Sequence, residues 1–265
     1  MDPLETPLHK AVKAGNIQDV KALILNGVDI NATEKFNRTP LYLAVLQNKV
    51  PIVNILLQNG ADPDVADSVQ RTPLHGAAAF DYIEIVKMLI AKDAKIDAKD
   101  SHGRTPLHWA TMRGHNLVLE TLLQNGSNIE AQINSTGSRP LHLAIDCTMS
   151  NARTLKTLLN NGADIEAKNN FGARPIHFAV VNEDDKSAEI LIQNGAQLDV
   201  REGLGLAPIH LASIYRKSSI FQMLVRSGAS LKIRTDEGLT PLEFDLKMNK
   251  NDLKHKKAVF YSGMM

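Results

Sequence analysis

The sequence predicts an all-α solenoid, a stack of helix-turn-helix units joined by hairpin loops. Three observations carry that prediction. Prolines recur at Pro7, Pro40, Pro73, Pro106, Pro140, Pro175, Pro208 and Pro241, with steps of 33, 33, 33, 34, 35, 33 and 33 residues. About 20 residues after each proline stands a glycine (Gly27, Gly60, Gly126, Gly162, Gly195, Gly228), with Asp93 in the one remaining interior slot. Between the two markers, apolar residues fall at helical spacing, as in Ile17, Val20 and Ile24 or Ile83, Val86 and Ile90. A repeat of this length decides the architecture before any residue is given a function.

Eight units follow, at 1–33, 34–66, 67–99, 100–132, 133–168, 169–201, 202–234 and 235–265, and they are expected to form a single domain over all 265 residues. Thr6, Thr39, Thr72, Thr105 and Thr240 stand directly before a proline, an N-cap hydroxyl followed by the residue best tolerated at the first helical position. Seven units carry a small alanine at one offset (Ala11, Ala44, Ala77, Ala110, Ala144, Ala179, Ala212), which lets neighbouring helices approach closely. The second segment stops at an Asn-Gly pair, where glycine can take the left-handed conformation that ends a helix. A polar, turn-forming stretch then leads to the next proline. About 16 short helices are therefore expected.

Composition narrows the function classes. With 43% hydrophobic and 22% charged residues the chain is of ordinary globular type. The net charge is +1, and the halves on either side of residue 132 carry −2 and +3, so charge alone names no partner. Cys147 is the only cysteine, which excludes an intrachain disulfide and any multi-cysteine metal site and suits a reducing compartment. No stretch approaches 18 apolar residues, and the N-terminus lacks a basic region followed by an apolar core. Neither membrane spanning nor standard export is expected.

Thr72-Pro73-Leu74-His75, Thr105-Pro106-Leu107-His108 and Asn59-Gly60-Ala61-Asp62 resemble the signature motifs of the ankyrin repeat, and the resemblance covers essentially the whole chain as seven full repeats and a C-terminal capping repeat. It implies a curved stack in which inner helices and finger-like hairpins line a concave face. Ends of such a stack need polar outer faces. Lys10 and Lys13 in the first unit, and Glu243, Asp245, Lys247, Lys250, Lys254, Lys256 and Lys257 in the last, are read as supplying them.

The residues that invite a catalytic or metal-binding story are better explained by the repeat. His9, His75, His108, His142, His177 and His210 each lie two residues after a periodic proline, and the resemblance implies that they hydrogen-bond adjacent hairpins. His115 and His102 have no companion at metal-ligand spacing. Cys147 near Asp146 and His142 resembles a nucleophile with a base, but a lone thiol in an irregular repeat reads as inert or as a contact residue. Gly203-Leu204-Gly205 falls at a hairpin tip with no dinucleotide fingerprint. Asn31, Asn37 and Asn134 match the glycosylation pattern in loops that are not expected to be exported. No catalytic residue, metal or cofactor is expected, and the chain is read as no enzyme.

Binding specificity must then lie in residues that vary between units and face outward. In the ankyrin architecture these are the hairpin-tip pair and the two residues before the tight turn of the inner helix. Leu46, Phe80 and Met112 lie on consecutive units and are expected to form one apolar strip, with Trp109, Arg113 and the tip Phe36 around it. The competing reading packs them against neighbouring hairpins. His102, Phe171 and Tyr215 complete the candidate partner-binding set.

The expected function is a monomeric, non-enzymatic protein-interaction module that holds a protein partner on its concave face as scaffold, adaptor or stoichiometric inhibitor. The expected location is the cytoplasm or nucleus. The resemblance extends to host-directed effectors of intracellular pathogens, for which it would be the host cytosol. A nucleic-acid-associated regulator using the basic last repeat is the alternative; nucleic acid and small-molecule substrates are not the expected partners. The fifth unit carries one extra hairpin residue and two more around Cys147–Arg153, and Arg139, Arg174 and Ala207 replace the cap threonine in units five to seven. A weak seam is expected there.

Overall fold

The computed structural model describes residues 4–146, 152–214 and 218–247. It comprises fifteen helices and no strand among those residues, an all-α array of helical hairpins. By contacts the chain divides into two compact units, Met1–Ala131 and Gln132–Met265, a boundary within one residue of the junction between the fourth and fifth repeats.

The first compact unit holds α1 (Pro7–Ala14), α2 (Ile17–Leu25), α3 (Pro40–Leu46), α4 (Val50–Gln58), α5 (Pro73–Ala79), α6 (Ile83–Ile90), α7 (Pro106–Arg113) and α8 (Asn116–Gln124). The odd-numbered inner helices pack side by side in one layer and the even-numbered outer helices in a second. The second compact unit repeats the plan with inner helices α9 (Pro140–Asp146), α11 (Pro175–Val181), α13 (Pro208–Ile214) and α15 (Pro241–Lys247) and outer helices α10 (Ala152–Asn160), α12 (Asp185–Gln193) and α14 (Ser218–Arg226). The sixteenth expected helix falls in 248–265, outside the described residues, as do Cys147 and Tyr215.

Sequence signals map onto this plan directly. The seven periodic alanines are buried, none more than 6% exposed. The glycines after the outer helices all sit at φ between +74 and +96°, and Asp93 takes the same left-handed turn at φ +57°. In the first compact unit each inner helix starts at its proline behind a residue with extended backbone, Thr6, Thr39, Thr72 or Thr105.

The histidines explain why loss of the threonine is tolerated. In Thr72 and Thr105 the backbone N–H donates to Nδ1 of His75 and His108 (3.0 and 2.9 Å), and the hydroxyl meets the same nitrogen at 2.9 Å. Where Arg139, Arg174 and Ala207 stand instead, their N–H groups still donate to Nδ1 of His142, His177 and His210 at 3.1–3.2 Å. The cap is therefore held by the imidazole and the backbone, which any residue supplies. In the last repeat Glu243 does the same work, accepting from the Thr240 N–H and hydroxyl at 2.8 Å each.

Repeats are zipped along two edges. At the hairpin tips the N–H of one tip donates to the carbonyl of the preceding one: Ser68 to Phe36, Ser101 to Val69, Asn170 to Thr136 and Gly203 to Phe171, at 2.7–3.0 Å. Beyond the outer helices a side-chain oxygen accepts the N–H of the next unit, as Asp64 does from Lys95 and Asp97 from Asn128 (2.8 and 3.0 Å) and, in the second compact unit, Glu166 from Gln197 and Asp199 from Ser230 (2.8 Å each). The enlarged hairpin of the fifth repeat keeps its rung, because Ile133 and Ser138 close a wider turn that still presents the Thr136 carbonyl. Its other inserted residues lie partly in 147–151, outside the described residues.

The expectation of polar terminal faces needs correction. Leu242 and Leu246 on α15 are 69% and 79% exposed, whereas the leucine at the same offset as Leu242 is fully buried in Leu8, Leu41, Leu74 and Leu107. In the first repeat Leu25 is 86% exposed. Interior units bury the positions of Leu242 and Leu246, as in Leu41 and Val45, whereas the position of Leu25 is exposed in them as well, as in Gln58, Ala91 and Gln124.

Candidate functional site

Helical spacing sets which residues of the inner helices in the first compact unit share the side away from the buried leucines, although Leu43 and Gly76 on that side are themselves buried. In each inner helix the residues three, six and seven places after the proline share one side. They are Lys10, Lys13 and Ala14 in α1, Leu43, Leu46 and Gln47 at α3, Gly76, Ala79 and Phe80 at α5, and Trp109, Met112 and Arg113 in α7. The opposite side carries Leu8, Val12, Leu41, Val45, Leu74 and Leu107, all fully buried.

The candidate residues do not form one row. Leu46 and Met112 stand six places after their prolines, in the last turn of their helices, and are half-buried. Leu46 leans over Gly76 of the next helix, where even a Cβ would come within 3.3 Å of its Cδ2. Phe80 stands seven places after its proline as the C-cap of α5, in register with Gln47 and Arg113, and is 53% exposed. Its ring stacks on Tyr82 with centroids 5.8 Å apart and planes 24° apart. Tyr82, which follows the tight turn, was missed from sequence because the helical pattern gives that turn no face.

The hairpin tips flank this face. Phe36 is half exposed, with the Arg38 guanidinium 4.9 Å and the Lys35 ammonium 5.7 Å from its ring centre. Trp109 is half-buried; its indole N–H donates to Asp100 at 3.2 Å and Arg104 lies 5.4 Å over its ring. His102 is exposed at its tip, its N–H donating to Asp100. Phe171, 42% exposed, occupies a tip of the second compact unit.

Six of the seven hairpins, all but the enlarged fifth, are closed by a buried acceptor that sequence reading also missed, six residues before the proline: Glu34, Asp67, Asp100, Asn169, Glu202 and Thr235. Asp67 accepts the N–H groups of Val69 and Arg71 (3.0 and 2.9 Å), and Asp100 those of His102 and Arg104 (2.9 Å each). Burial alone would raise the Asp67 carboxyl, but bonds from the Arg71 backbone and guanidinium and from the Tyr42 hydroxyl outweigh it and hold it below the usual range. The recurrence of an acceptor at one offset was the signal that could have found them.

The remaining chemistry-bearing groups are committed to the scaffold. The second ring nitrogen of His9, His75, His142, His177 and His210 meets a backbone carbonyl of the next hairpin (Arg38, Arg104, Ala167, Val200 and Leu239) at 3.0–3.2 Å. An amide can only donate to Nδ1 and a carbonyl can only accept from Nε2, so the neutral Nε2–H tautomer is required. Burial lowers His9, His75 and His210 below 6.5 and takes His142 and His177 to about 4, against the opposing pull of those carbonyls. His115 Nε2 caps the preceding inner helix at the Ala79 carbonyl, 3.1 Å away. No group of three or more His, Cys, Asp or Glu side chains able to hold a metal occurs among the described residues. Lys247 pairs with Glu237 at 2.9 Å, and the other lysines of the last repeat lie outside the described residues. No helix among the described residues is long and apolar enough to cross a membrane.

A family model described as ankyrin repeats in three copies matches residues 8–100, 74–169 and 141–235. With that match, the paired helices and the hairpin ladder, the chain belongs to the ankyrin-repeat family. None of the curated proteins matches its sequence. Ankyrin repeats in general mediate protein–protein interaction, and proteins built from them are in general non-enzymatic.

Proposed function

We propose that the chain is a non-enzymatic, monomeric interaction module that holds a protein or peptide on the inner-helix and tip face of its first compact unit. It would act as scaffold, adaptor or stoichiometric inhibitor in the cytoplasm or nucleus, or in a host cytosol if it is an effector. The carrying observation is Phe80, half exposed and stacked on Tyr82, with Phe36 equally exposed at the flanking tip. Aromatic side chains concentrate interface energy, and exposed apolar clusters mark binding surfaces.

The test is affinity capture of a partner from lysate, compared between the native chain, Phe80→Ala and the double variant Phe80→Ala/Met112→Ala. Truncating a buried anchor costs about 2 kcal/mol, or about 30-fold in affinity. Phe80→Ala alone is the cleaner arm, since Met112 is half-buried and its loss also costs stability. Retention of the same partner by the folded double variant would place the site elsewhere.

A further inference from the structure

Exposed cations outnumber exposed acids on the inner-helix and tip face of the first compact unit. The face that carries Phe80 and the tips presents Lys10, Lys13, Lys35 and Arg113, all exposed, while Arg38 and Arg104 lie on the rings of Phe36 and Trp109. The acids of the same hairpins, Glu34, Asp67 and Asp100, are 3–5% exposed and turned inward onto backbone N–H groups, and Glu34 and Asp67 also pair with the guanidinium groups of Arg38 (2.6 Å) and Arg71 (2.8 Å). The outer helices and the loops after them carry exposed groups of both signs, the acids Asp19, Asp29, Asp62, Glu84 and Asp93 and the lysines Lys21, Lys87, Lys92, Lys95 and Lys99. Two acids lie near the aromatic face: Glu5, which Lys13 pairs at 2.7 Å, and Asp81 in the turn beside Phe80, 3.9 Å from His115. The aromatic face thus carries a surplus of exposed cations, while the outer-helix side is mixed in sign.

Resting on the binding face proposed above, we propose that its occupant is an acidic segment carrying large apolar side chains, whose carboxylates meet Lys35, Arg113 and the lysines of α1 while an apolar residue covers Phe80. Both parts are needed. Cations flanking aromatic rings disfavour a basic peptide, and like charges brought together across an interface are costly. Half-exposed rings give an acidic peptide without apolar residues nothing to desolvate.

The experiment pans an unbiased phage-displayed random 16-residue peptide library over the full chain and then measures synthetic enriched peptides by fluorescence anisotropy. The expected pool is net negative and rich in Leu, Ile, Phe, Trp or Met. Its binding weakens as salt rises and falls at least about 10-fold in Lys35→Glu/Arg113→Glu, a variant whose circular dichroism is unchanged. Neutral or basic enriched peptides, or acidic ones indifferent to that charge reversal, overturn the inference. If such peptides still lose affinity to Phe80→Ala, the binding face stands and only its occupant is wrong. If they bind Phe80→Ala normally, or if nothing enriches over a blank surface, both the occupant and the face are wrong.

Discussion

The hydroxyl of Tyr42 donates to Oδ2 of Asp67 across 2.8 Å, so the one full repeat that lacks the periodic histidine still ties its inner helix to the next hairpin. In the other full repeats the imidazole reaches a backbone carbonyl. Here a phenol reaches the carboxylate that closes the following turn, and Arg71 grips the same oxygen at 2.8 Å. Tyr42 is 2% exposed, and burial together with Asp67 raises its hydroxyl far above its ordinary value, which keeps it a donor.

Tyr42→Phe removes that bond without opening a cavity. A hydrogen bond to a charged group contributes about 2 kcal/mol, and Asp67 keeps its bonds to Arg71. The expected result is a lower urea midpoint with an unchanged slope and unchanged helicity. An unshifted midpoint would show that the phenol adds nothing beyond its packing.

Stability should fall in mild acid. In the unfolded chain His142 and His177 take up a proton near pH 6.5, whereas in the folded chain they resist it to about pH 4. The unfolded state therefore binds more protons in that window; stability is complete above it and declines as the pH drops from 6.5 towards 4. Each group accounts for on the order of 3 kcal/mol across the full window. Urea unfolding at pH 7.0, 5.5 and 4.5 reads the slope, and His177→Gln should flatten it. A midpoint independent of pH over this range contradicts the neutral-imidazole assignment.

Gly203→Ala should be costly although its backbone is not left-handed. A Cβ there would lie 2.6 Å from the Phe171 carbonyl oxygen, the acceptor of the tip-to-tip bond from Gly203 at 2.7 Å. Overpacking against backbone costs about 2 kcal/mol. Ser68→Ala, at the equivalent exposed tip, should change stability by less than about 0.5 kcal/mol. Thermal melts of the two variants settle the contrast, and equal melting temperatures would refute it.

Lys49 is a C-cap supplied by the neighbouring repeat. Its ammonium lies across Gly15 and donates to the carbonyls of Val12 and Lys13, 2.8 and 2.6 Å away, at the negative end of α1. Lys49→Met should cost about 1 kcal/mol. Hydrogen exchange should show the loss concentrated in the last turn of α1 rather than in α4, where Lys49 itself begins the helix. Unchanged exchange in α1 would assign the lysine to solvent.

The sequence by itself determined the family, the helix pairs and the framework. Each rests on local rules repeated once per unit: proline at a helix start, a left-handed residue at its end, a small alanine where layers touch. It also marked the variable residues from which the binding face is proposed. Only the tertiary structure decided how those residues are presented. Phe80 falls one place later than Leu46 and Met112, which leaves it exposed as a C-cap while they fold into the last helical turn. Likewise Lys49, Tyr42 and the acids that close the hairpins act on atoms of a neighbouring repeat or turn, so nothing in their own segment reveals the partner. Periodicity fixes which residues share a side of a helix; burial depends on what the next repeat brings against that side, and that is a property of the stack.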